Sequence, residues 1–219
     1  MKVRAVLFDL DGTLVDSLDD LTAAVNHTRA AFGLPQLHSP TVCAMIGKGA
    51  RHLIRQAVPD LDDAETDRAL QLFLDFNQHH IADKSRLYPG IGKTLDVLQG
   101  KGIRLAVVSN KNQSLSGLIL SALGVRDYFE LIAGGDTFAE SKPSPLPLLR
   151  VADQLGVLPT ECVMVGDSIN DIEAGNRAGI VTIGCNWGYG NREELSQSTF
   201  QVDSCDELIS TLIELEQAA

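Results

Sequence analysis

The chain carries two kinds of hydrophobic pattern, and the change between them divides it into an α/β part and a helical part. Val3 to Phe8 is an apolar run typical of strands that are buried on both faces of a parallel sheet. From Ser17 to about Leu87 no such run occurs, and the apolar residues follow helical spacing instead. We therefore expect four helices in this segment, near residues 18–32, 39–46, 50–57 and 62–82.

After Tyr88-Pro89-Gly90 the pattern alternates between helix and strand. Strands are expected at residues 103–108, 129–133, 162–165 and 181–185, and helices at residues 91–98, 115–122, 145–155 and 169–178. Ser204 and Glu207 have the spacing of a capping box and predict a last helix. This alternation is typical of an α/β fold with a doubly wound parallel sheet, a Rossmann-like core. We expect that core to comprise residues 1–16 and 88–219, with a small all-helical domain inserted at residues 17–87.

Composition narrows the class of protein. With 219 residues, 44% hydrophobic and 21% charged, the chain has the composition of a soluble globular protein. The net charge of −11 argues against nucleic acid or an anionic membrane as partner, because both attract clustered Lys and Arg. The four cysteines lie far apart and are expected to be free thiols, as in a reducing compartment. We expect neither a signal peptide nor a membrane-spanning segment, and therefore a location in the cytoplasm.

Two carboxylates directly follow the first predicted strand. Asp9 and Asp11 are two residues apart, so in an extended chain both side chains leave on the same side. Gly12 follows, and glycine allows a sharp turn close to a ligand. Two ionised carboxylates at this distance repel each other, which favours a bound cation. Mg²⁺ suits a site with few carboxylates and with room for water and phosphate.

Other polar residues also stand where predicted strands end. Ser109 follows the strand at 103–108, and Asp167 follows the strand at 162–165. Ligands of open parallel sheets bind beyond the carboxyl ends of the strands. The predicted topology therefore gathers Asp9, Ser109 and Asp167 at one edge of the sheet.

Four motifs occur together and in a fixed order between Val6 and about Asp171. They are DLDGTL at 9–14, VVSN at 107–110, ESKP at 140–143 and VMVGDSINDI at 163–172. In this order they resemble the motifs of the haloacid dehalogenase-like hydrolases, which are mostly phosphatases with an aspartate nucleophile. This resemblance implies a fold of the predicted kind, in which the inserted helical domain is a cap.

The resemblance also implies roles for the acidic residues. Asp9 is expected to attack phosphorus and form an aspartyl-phosphate. Asp11 is expected to protonate the leaving alcohol and then to activate water. Mg²⁺ is expected to bind Asp9, the backbone carbonyl of Asp11, and Asp167. Asp171 lies one helical turn after Asp167 and is expected to steady metal-bound water or Lys142 rather than to bind the metal.

Further residues are expected to bind the substrate. Ser109 and the backbone of Asn110 are implied to donate hydrogen bonds to the phosphoryl group. Lys142 is implied to stabilise the transferred group and to screen Asp9 from Asp167. In the glycine-flanked loop of the cap, Lys48 or Arg51 could meet a substrate carboxylate, and a solvated helix start is an equally good interpretation of both.

The substrate is expected to be a small phosphorylated metabolite. The segments DLDGTLVDS, IGKGARHLI, GGDTFAESKPSPLPLL and GCNWGYG resemble bacterial phosphoglycolate phosphatases. This implies hydrolysis of 2-phosphoglycolate to glycolate and phosphate. The alternatives are a phosphatase for a sugar phosphate, nucleotide or pyrophosphate, and a mutase like β-phosphoglucomutase. A non-enzymatic phospho-receiver domain is a remote alternative, against which the helical insertion argues. The segment Gly188-Tyr189-Gly190 is interpreted only as a loop. The sequence does not decide whether the protein is a monomer or a homodimer.

Overall fold

The computed structural model describes residues 2–217, in which six parallel strands form one sheet. A separate antiparallel pair is formed by β2 and β3. The strands are β1 (Ala5–Phe8), β2 (Val15–Asp16), β3 (Arg86–Leu87), β4 (Arg104–Val108), β5 (Leu131–Ala133), β6 (Cys162–Gly166), β7 (Val181–Cys185) and β8 (Phe200–Val202). The order of strands in the main sheet is β5-β4-β1-β6-β7-β8.

Nine α-helices lie within the described residues. They are α1 (Leu18–Ala31), α2 (Ser39–Cys43), α3 (Ala50–Ala57), α4 (Asp63–His79), α5 (Ile91–Gly100), α6 (Gln113–Ala122), α7 (Leu146–Gln154), α8 (Ile169–Ala178) and α9 (Cys205–Gln217). None of the helices between residues 2 and 217 is both long enough and apolar enough to cross a bilayer.

The first strand is central and is buried on both faces. Val6 and Phe8 pack into one hydrophobic cluster, together with residues of α5, α6 and α9. Ala5 and Leu7 point to the other face and pack into a second cluster, with residues of α7 and α8. Burial on both faces explains the continuous apolar run in the sequence. The α/β fold with helices on both faces of a parallel sheet is thus confirmed.

Helices α1 to α4, here called the helical unit, pack around a hydrophobic cluster of their own. It contains Leu21 and Val25 from α1, Ile54 from α3 and Phe73 from α4. The Asp62 side chain and Glu65 form a capping box that starts α4. Buried Asp20 accepts hydrogen bonds from the backbone N–H groups of residues 84 and 85, which ties α1 to the returning chain.

Short strands are the main elements that the sequence pattern did not predict. In the β2–β3 pair, Val15 is opposite Leu87 and Asp16 opposite Arg86. This pair lies where the predicted division between core and helical domain falls, and two residues per strand are too few to give a period. β8 is at the edge of the sheet, and two of its three residues are exposed, so it carries no buried-strand pattern. In the helical unit, α2 ends at Cys43 rather than near Ile46.

Candidate active site

Three carboxylates from separate parts of the chain meet at the carboxyl edge of the sheet. Asp9 directly follows β1 and Asp167 directly follows β6. The two strands are hydrogen-bonded neighbours, with Phe8 opposite Val165. Asp171 enters from the first turn of α8. One carboxylate oxygen from each of the three acids lies within 4.8 Å of the others, so they are close enough to share one cation.

Lys142 comes from the segment between β5 and α7 and supplies a buried ammonium group to this cluster. Its Nζ atom lies 2.9 Å from Asp9 Oδ1 and 2.5 Å from Asp171 Oδ1. Burial alone lowers the pKa of Lys142, but the carboxylates of Asp171 and Asp9 outweigh it, and the net shift is upward. Lys142 therefore stays charged and contacts Asp9 and Asp171, and its expected role in screening Asp9 from Asp167 stays a prediction.

One ammonium does not balance three buried carboxylates. Burial raises the pKa of Asp9 to about 6, with Asp171 adding to the rise and Lys142 opposing it. Burial also raises the pKa of Asp167 to about 7, and the charges of Asp9 and Asp171 raise it further. A divalent cation removes this excess negative charge. The donor set, made of carboxylate oxygens, fits Mg²⁺.

Asp167 is held in place by contacts that the motif alone does not reveal. Thr13 Oγ1 donates a hydrogen bond of 2.8 Å to Asp167 Oδ1. The backbone N–H groups of Tyr189 and Gly190 lie 2.7 and 3.4 Å from Oδ2 and donate to it. A Cβ atom at Gly188 or Gly190 would overlap Asp167. The segment 188–190, predicted only as a loop, is therefore a glycine loop that packs directly on Asp167.

Asp171 uses both carboxylate oxygens within the protein. Oδ1 contacts Lys142, while Oδ2 accepts hydrogen bonds from the backbone N–H of Ser168 at 3.0 Å and from its hydroxyl at 2.8 Å. Gly166 packs so closely on Asp171 that a Cβ atom there would overlap the carboxylate. These contacts suit a residue that orients Lys142 and the start of α8.

Asp11 has different partners from Asp9, although it is only two residues away. Ser17 Oγ donates a hydrogen bond of 2.5 Å to Asp11 Oδ1. Lys111 Nζ lies 3.2 Å from Asp11 Oδ2, and both side chains are largely buried. Sequence reasoning missed Lys111. The available signal was its position two residues after Ser109, which repeats the spacing of Asp9 and Asp11 at the end of a neighbouring strand.

Ser109 and Asn110 lie at the end of β4, beside the acids. Ser109 is buried and accepts a weak hydrogen bond of 3.3 Å from the backbone N–H of Lys111. Asn110 Nδ2 donates to the carbonyl of Gly47 at 2.8 Å and to that of Lys142 at 2.9 Å. Gly47 belongs to the loop before α3, so the Asn110 side chain connects the core to the helical unit.

A cavity of about 50 Å³ lies between the acids and the helical unit. Asp9, Asp11, Ser109, Lys111 and Lys142 line it from the core. The wall contributed by the helical unit is largely apolar and consists of Leu21, Ile46, Gly47, Gly49, Ala50, Leu53, Phe73 and Asn77.

Asn77 is the only polar side chain that the described part of the helical unit contributes to this wall. It is buried, and its Oδ1 atom has no hydrogen-bond partner in the structure. Sequence reasoning missed it, although it stands four residues after Phe73 on the apolar face of α4, where a polar residue is unexpected.

Lys48 and Arg51 do not line the cavity. Both line a separate groove, and Arg51 forms an ion pair with Asp67 of α4 at the exposed surface. The structure therefore does not bring these two cations to the acids, and their contact with a substrate stays a prediction.

The sequence matches a family model and many relatives. Residues 6–185 match the model of the haloacid dehalogenase-like hydrolases. A phosphoglycolate phosphatase of Chromobacterium violaceum is 40% identical over 211 residues, which cover 94% of this chain and 95% of that protein. A phosphoglycolate phosphatase of Aquifex aeolicus is 42% identical over 190 residues, 85% of this chain and 86% of its own.

Solved structures agree with this relationship. A crystal structure from Haemophilus somnus, described as a predicted phosphoglycolate phosphatase, superposes with a TM-score of 0.92 at 32% identity. It covers 97% of this chain and 99% of its own. A β-phosphoglucomutase from Clostridium difficile, at 22% identity and a TM-score of 0.82, shares the fold. The chain belongs to the haloacid dehalogenase-like hydrolases.

Proposed function

We propose that this protein is a Mg²⁺-dependent phosphatase that hydrolyses 2-phosphoglycolate to glycolate and phosphate. The observation that carries the proposal is the meeting of Asp9, Asp167 and Lys142 at one edge of the sheet, beside a small cavity that Asp9 and Lys142 line. The 40% identity to proteins named phosphoglycolate phosphatase, over almost the whole chain, supports the choice of substrate. A cytoplasmic location and a small phosphorylated metabolite as the substrate belong to the same proposal.

The acidic cluster is the proposed metal site. Asp9, Asp167 and the backbone carbonyl of Asp11 would hold Mg²⁺, with Asp171 steadying the site from behind. The ion, when bound, neutralises charge on the phosphoryl oxygens and on the carboxylates. The raised pKa values of Asp9 and Asp167 support this assignment, because they indicate carboxylates that lack a sufficient positive partner.

The chemical steps follow from the different surroundings of the two acids at the end of β1. Asp9 attacks phosphorus in line, the ester P–O bond breaks, and an aspartyl-phosphate forms. Asp11 gives its proton to the departing alkoxide, so glycolate leaves with a hydroxyl group. In the second half, Asp11 takes a proton from water, the water oxygen attacks phosphorus, and the bond to Asp9 breaks. Asp9 and phosphate are released, and Ser17 and Lys111 keep the Asp11 side chain oriented throughout.

The phosphoryl group is bound by donors that line the cavity. Lys142 neutralises its charge, while the hydroxyl of Ser109 and the backbone of Asn110 donate hydrogen bonds. Asp171 fixes the direction of the Lys142 ammonium group. The helical unit acts as a cap that excludes water from the reaction.

The lining of the cavity favours a short substrate over a hexose phosphate. A hexose presents several hydroxyl groups, each of which needs a hydrogen-bond partner when buried. The cap wall offers one polar side chain, Asn77, among the described residues. The mutase alternative is therefore the weaker one.

The test is phosphate release from a panel of phosphorylated metabolites by the purified protein. We expect 2-phosphoglycolate to give the highest kcat/KM, above sugar phosphates, nucleotides and pyrophosphate. Asp9→Asn should keep the fold and lose turnover, and excess EDTA should stop the wild-type reaction until Mg²⁺ is restored. Preference for another substrate would overturn the substrate assignment. Turnover by Asp9→Asn or in excess EDTA would overturn the mechanism.

A further inference from the structure

Lys111 and Asn77 line the cavity, and the proposed mechanism gives neither of them a contact with the substrate. Lys111 comes from the core and Asn77 from the helical unit. We infer that the two side chains bind the carboxylate of the leaving group, and so select phosphorylated short hydroxy acids over phosphate esters of uncharged alcohols. This inference rests on the proposed function and names the residues that give it specificity.

Lys111 stands next to the group that handles the leaving oxygen. Its Nζ atom lies 3.2 Å from Asp11 Oδ2, and Asp11 is the proposed proton donor to that oxygen. In 2-phosphoglycolate the carboxylate is attached to the carbon that carries the leaving oxygen. A leaving oxygen in contact with Asp11 therefore brings the carboxylate within reach of Lys111.

The Lys111 ammonium group has hydrogen-bonding capacity left for a ligand. An ammonium group carries three donors, and those of Lys111 are directed to the two oxygens of a single carboxylate, Asp11. Lys142 differs, because it is held between the carboxylates of Asp9 and Asp171. Of the two lysines that line the cavity, Lys111 contacts one carboxylate and Lys142 contacts two, so Lys111 has more donor capacity left for a ligand.

Asn77 supplies the second contact, from the opposite wall. Its buried Oδ1 has no partner, and unpartnered buried amides are rare because they lose their hydrogen bonds to water. The residues around it on the cap wall, such as Leu53 and Phe73, cannot form hydrogen bonds through their side chains. Rotation of the amide places either its oxygen or its NH₂ group toward the cavity, and the NH₂ group can donate to a carboxylate oxygen.

The combination of one ammonium, one amide and apolar walls matches a carboxylate. A planar anion with two oxygens can accept from both donors at once, and its charge is compensated by Lys111. Lys48 and Arg51, the cations that the sequence suggested for this role, lie outside the cavity.

The test compares two substrates that differ only in the carboxylate. Steady-state kcat/KM is measured for 2-phosphoglycolate and for ethyl phosphate, which carries a methyl group in its place. We expect Lys111→Met to lower kcat/KM for 2-phosphoglycolate at least about 30-fold more than for ethyl phosphate, the loss typical of a buried charged hydrogen bond. Asn77→Asp should also reduce the preference for 2-phosphoglycolate, because two carboxylates then repel each other. Lys93→Met changes an exposed lysine paired with Asp206 and should leave both substrates unchanged.

The outcomes separate this inference from the proposed function. Equal kcat/KM values of the wild-type protein for ethyl phosphate and 2-phosphoglycolate would overturn both the inference and the proposed substrate. A wild-type preference for 2-phosphoglycolate that survives in Lys111→Met and Asn77→Asp would overturn only the inference. Equal losses on both substrates in Lys111→Met would also overturn it for Lys111, since that residue would then act through Asp11. Within the part of the chain that the structure describes, Asn77 Oδ1 has no hydrogen-bond partner, so Asn77→Asp breaks no contact with Asp11 and tests the inference even if Lys111→Met fails to fold.

Discussion

We predict that replacing Asp167 by Asn makes the metal-free protein more stable. The three carboxylates of Asp9, Asp167 and Asp171 have oxygens within 4.8 Å of one another. Two like charges at that distance repel by about 3.5 kcal/mol at an effective dielectric constant of 20. Lys142 offsets part of this repulsion, so we expect a net gain of about 2 kcal/mol. For a protein of this size, that gain raises Tm by roughly 4 to 8 °C.

The pH dependence of this gain has a definite sign. The pKa of Asp167 is raised from 3.8 to about 7 in the folded protein. A carboxyl group whose pKa is raised by folding lowers the stability progressively as the pH rises from its unfolded pKa, 3.8, to its folded pKa, because over this range the unfolded protein gives up the proton and the folded protein keeps it. Asp9, with a pKa of about 6, acts in the same direction. The stabilisation by Asp167→Asn should therefore be largest at pH 8 and clearly smaller at pH 5.

The substitution keeps the local hydrogen bonds. The carbonyl oxygen of Asn can accept from the backbone N–H of Tyr189, and its NH₂ group can donate to the hydroxyl of Thr13, which now acts as acceptor. Asp127→Asn is the matched control, because Asp127 is exposed and remote from the cluster in sequence.

The assay is thermal unfolding in EDTA at pH 5 and pH 8, repeated with excess Mg²⁺. Mg²⁺ should raise the Tm of the wild-type protein and of Asp127→Asn, and should have much less effect on Asp167→Asn. A lower Tm for Asp167→Asn than for wild type at pH 8 in EDTA would contradict the charge argument. Equal stabilisation of both proteins by Mg²⁺ would remove Asp167 from the metal site.

Three further substitutions test individual contacts. Lys142→Met leaves buried carboxylates without their cation and should cost about 3–5 kcal/mol of unfolding free energy in urea titrations, along with activity; unchanged stability would contradict the ion pairs. Gly190→Ala should cost about 1–3 kcal/mol and weaken Mg²⁺ binding, because the new methyl group overlaps Asp167. Gly92→Ala is its control, since a Cβ atom at Gly92 has open space in a helix and should be neutral or stabilising. Ser17→Ala removes the hydroxyl that orients Asp11 and should lower kcat more than it changes KM, whereas a change in KM alone would assign Ser17 to substrate binding.

The sequence predicted those parts of the fold that carry a long hydrophobic period. β1 and the helices on both faces of the sheet were predicted because each buries one face or both faces continuously. The β2–β3 pair and β8 were not, because two or three residues, partly exposed, leave no such period. Their strands form through pairing with residues distant in the chain, which a local pattern does not record.

The same distinction separates the predicted from the missed residues of the candidate site. Asp9, Asp11 and Asp167 stand next to strong strand patterns, so topology alone was enough to bring them to one edge. Lys111 meets Asp11 across 100 residues of chain, and the only signal for it was its position two residues after Ser109, which names no partner. Arg51 was considered for the substrate because of its glycine-flanked loop, but α3 directs it to Asp67 on α4 instead.

The arrangement explains how two aspartates two residues apart can take different roles in the proposed mechanism. Asp9 lies against Lys142 within the acidic cluster, where its carboxylate can face both the metal and phosphorus. Asp11 is directed to Ser17 and Lys111, away from Lys142, where it can exchange a proton with the leaving group. Each environment is built by residues from other strands and loops, which is how two neighbouring carboxylates acquire different surroundings. Nucleophile and acid are therefore specified by the sheet edge as a whole, and the short motif at the end of β1 supplies only the two carboxylates.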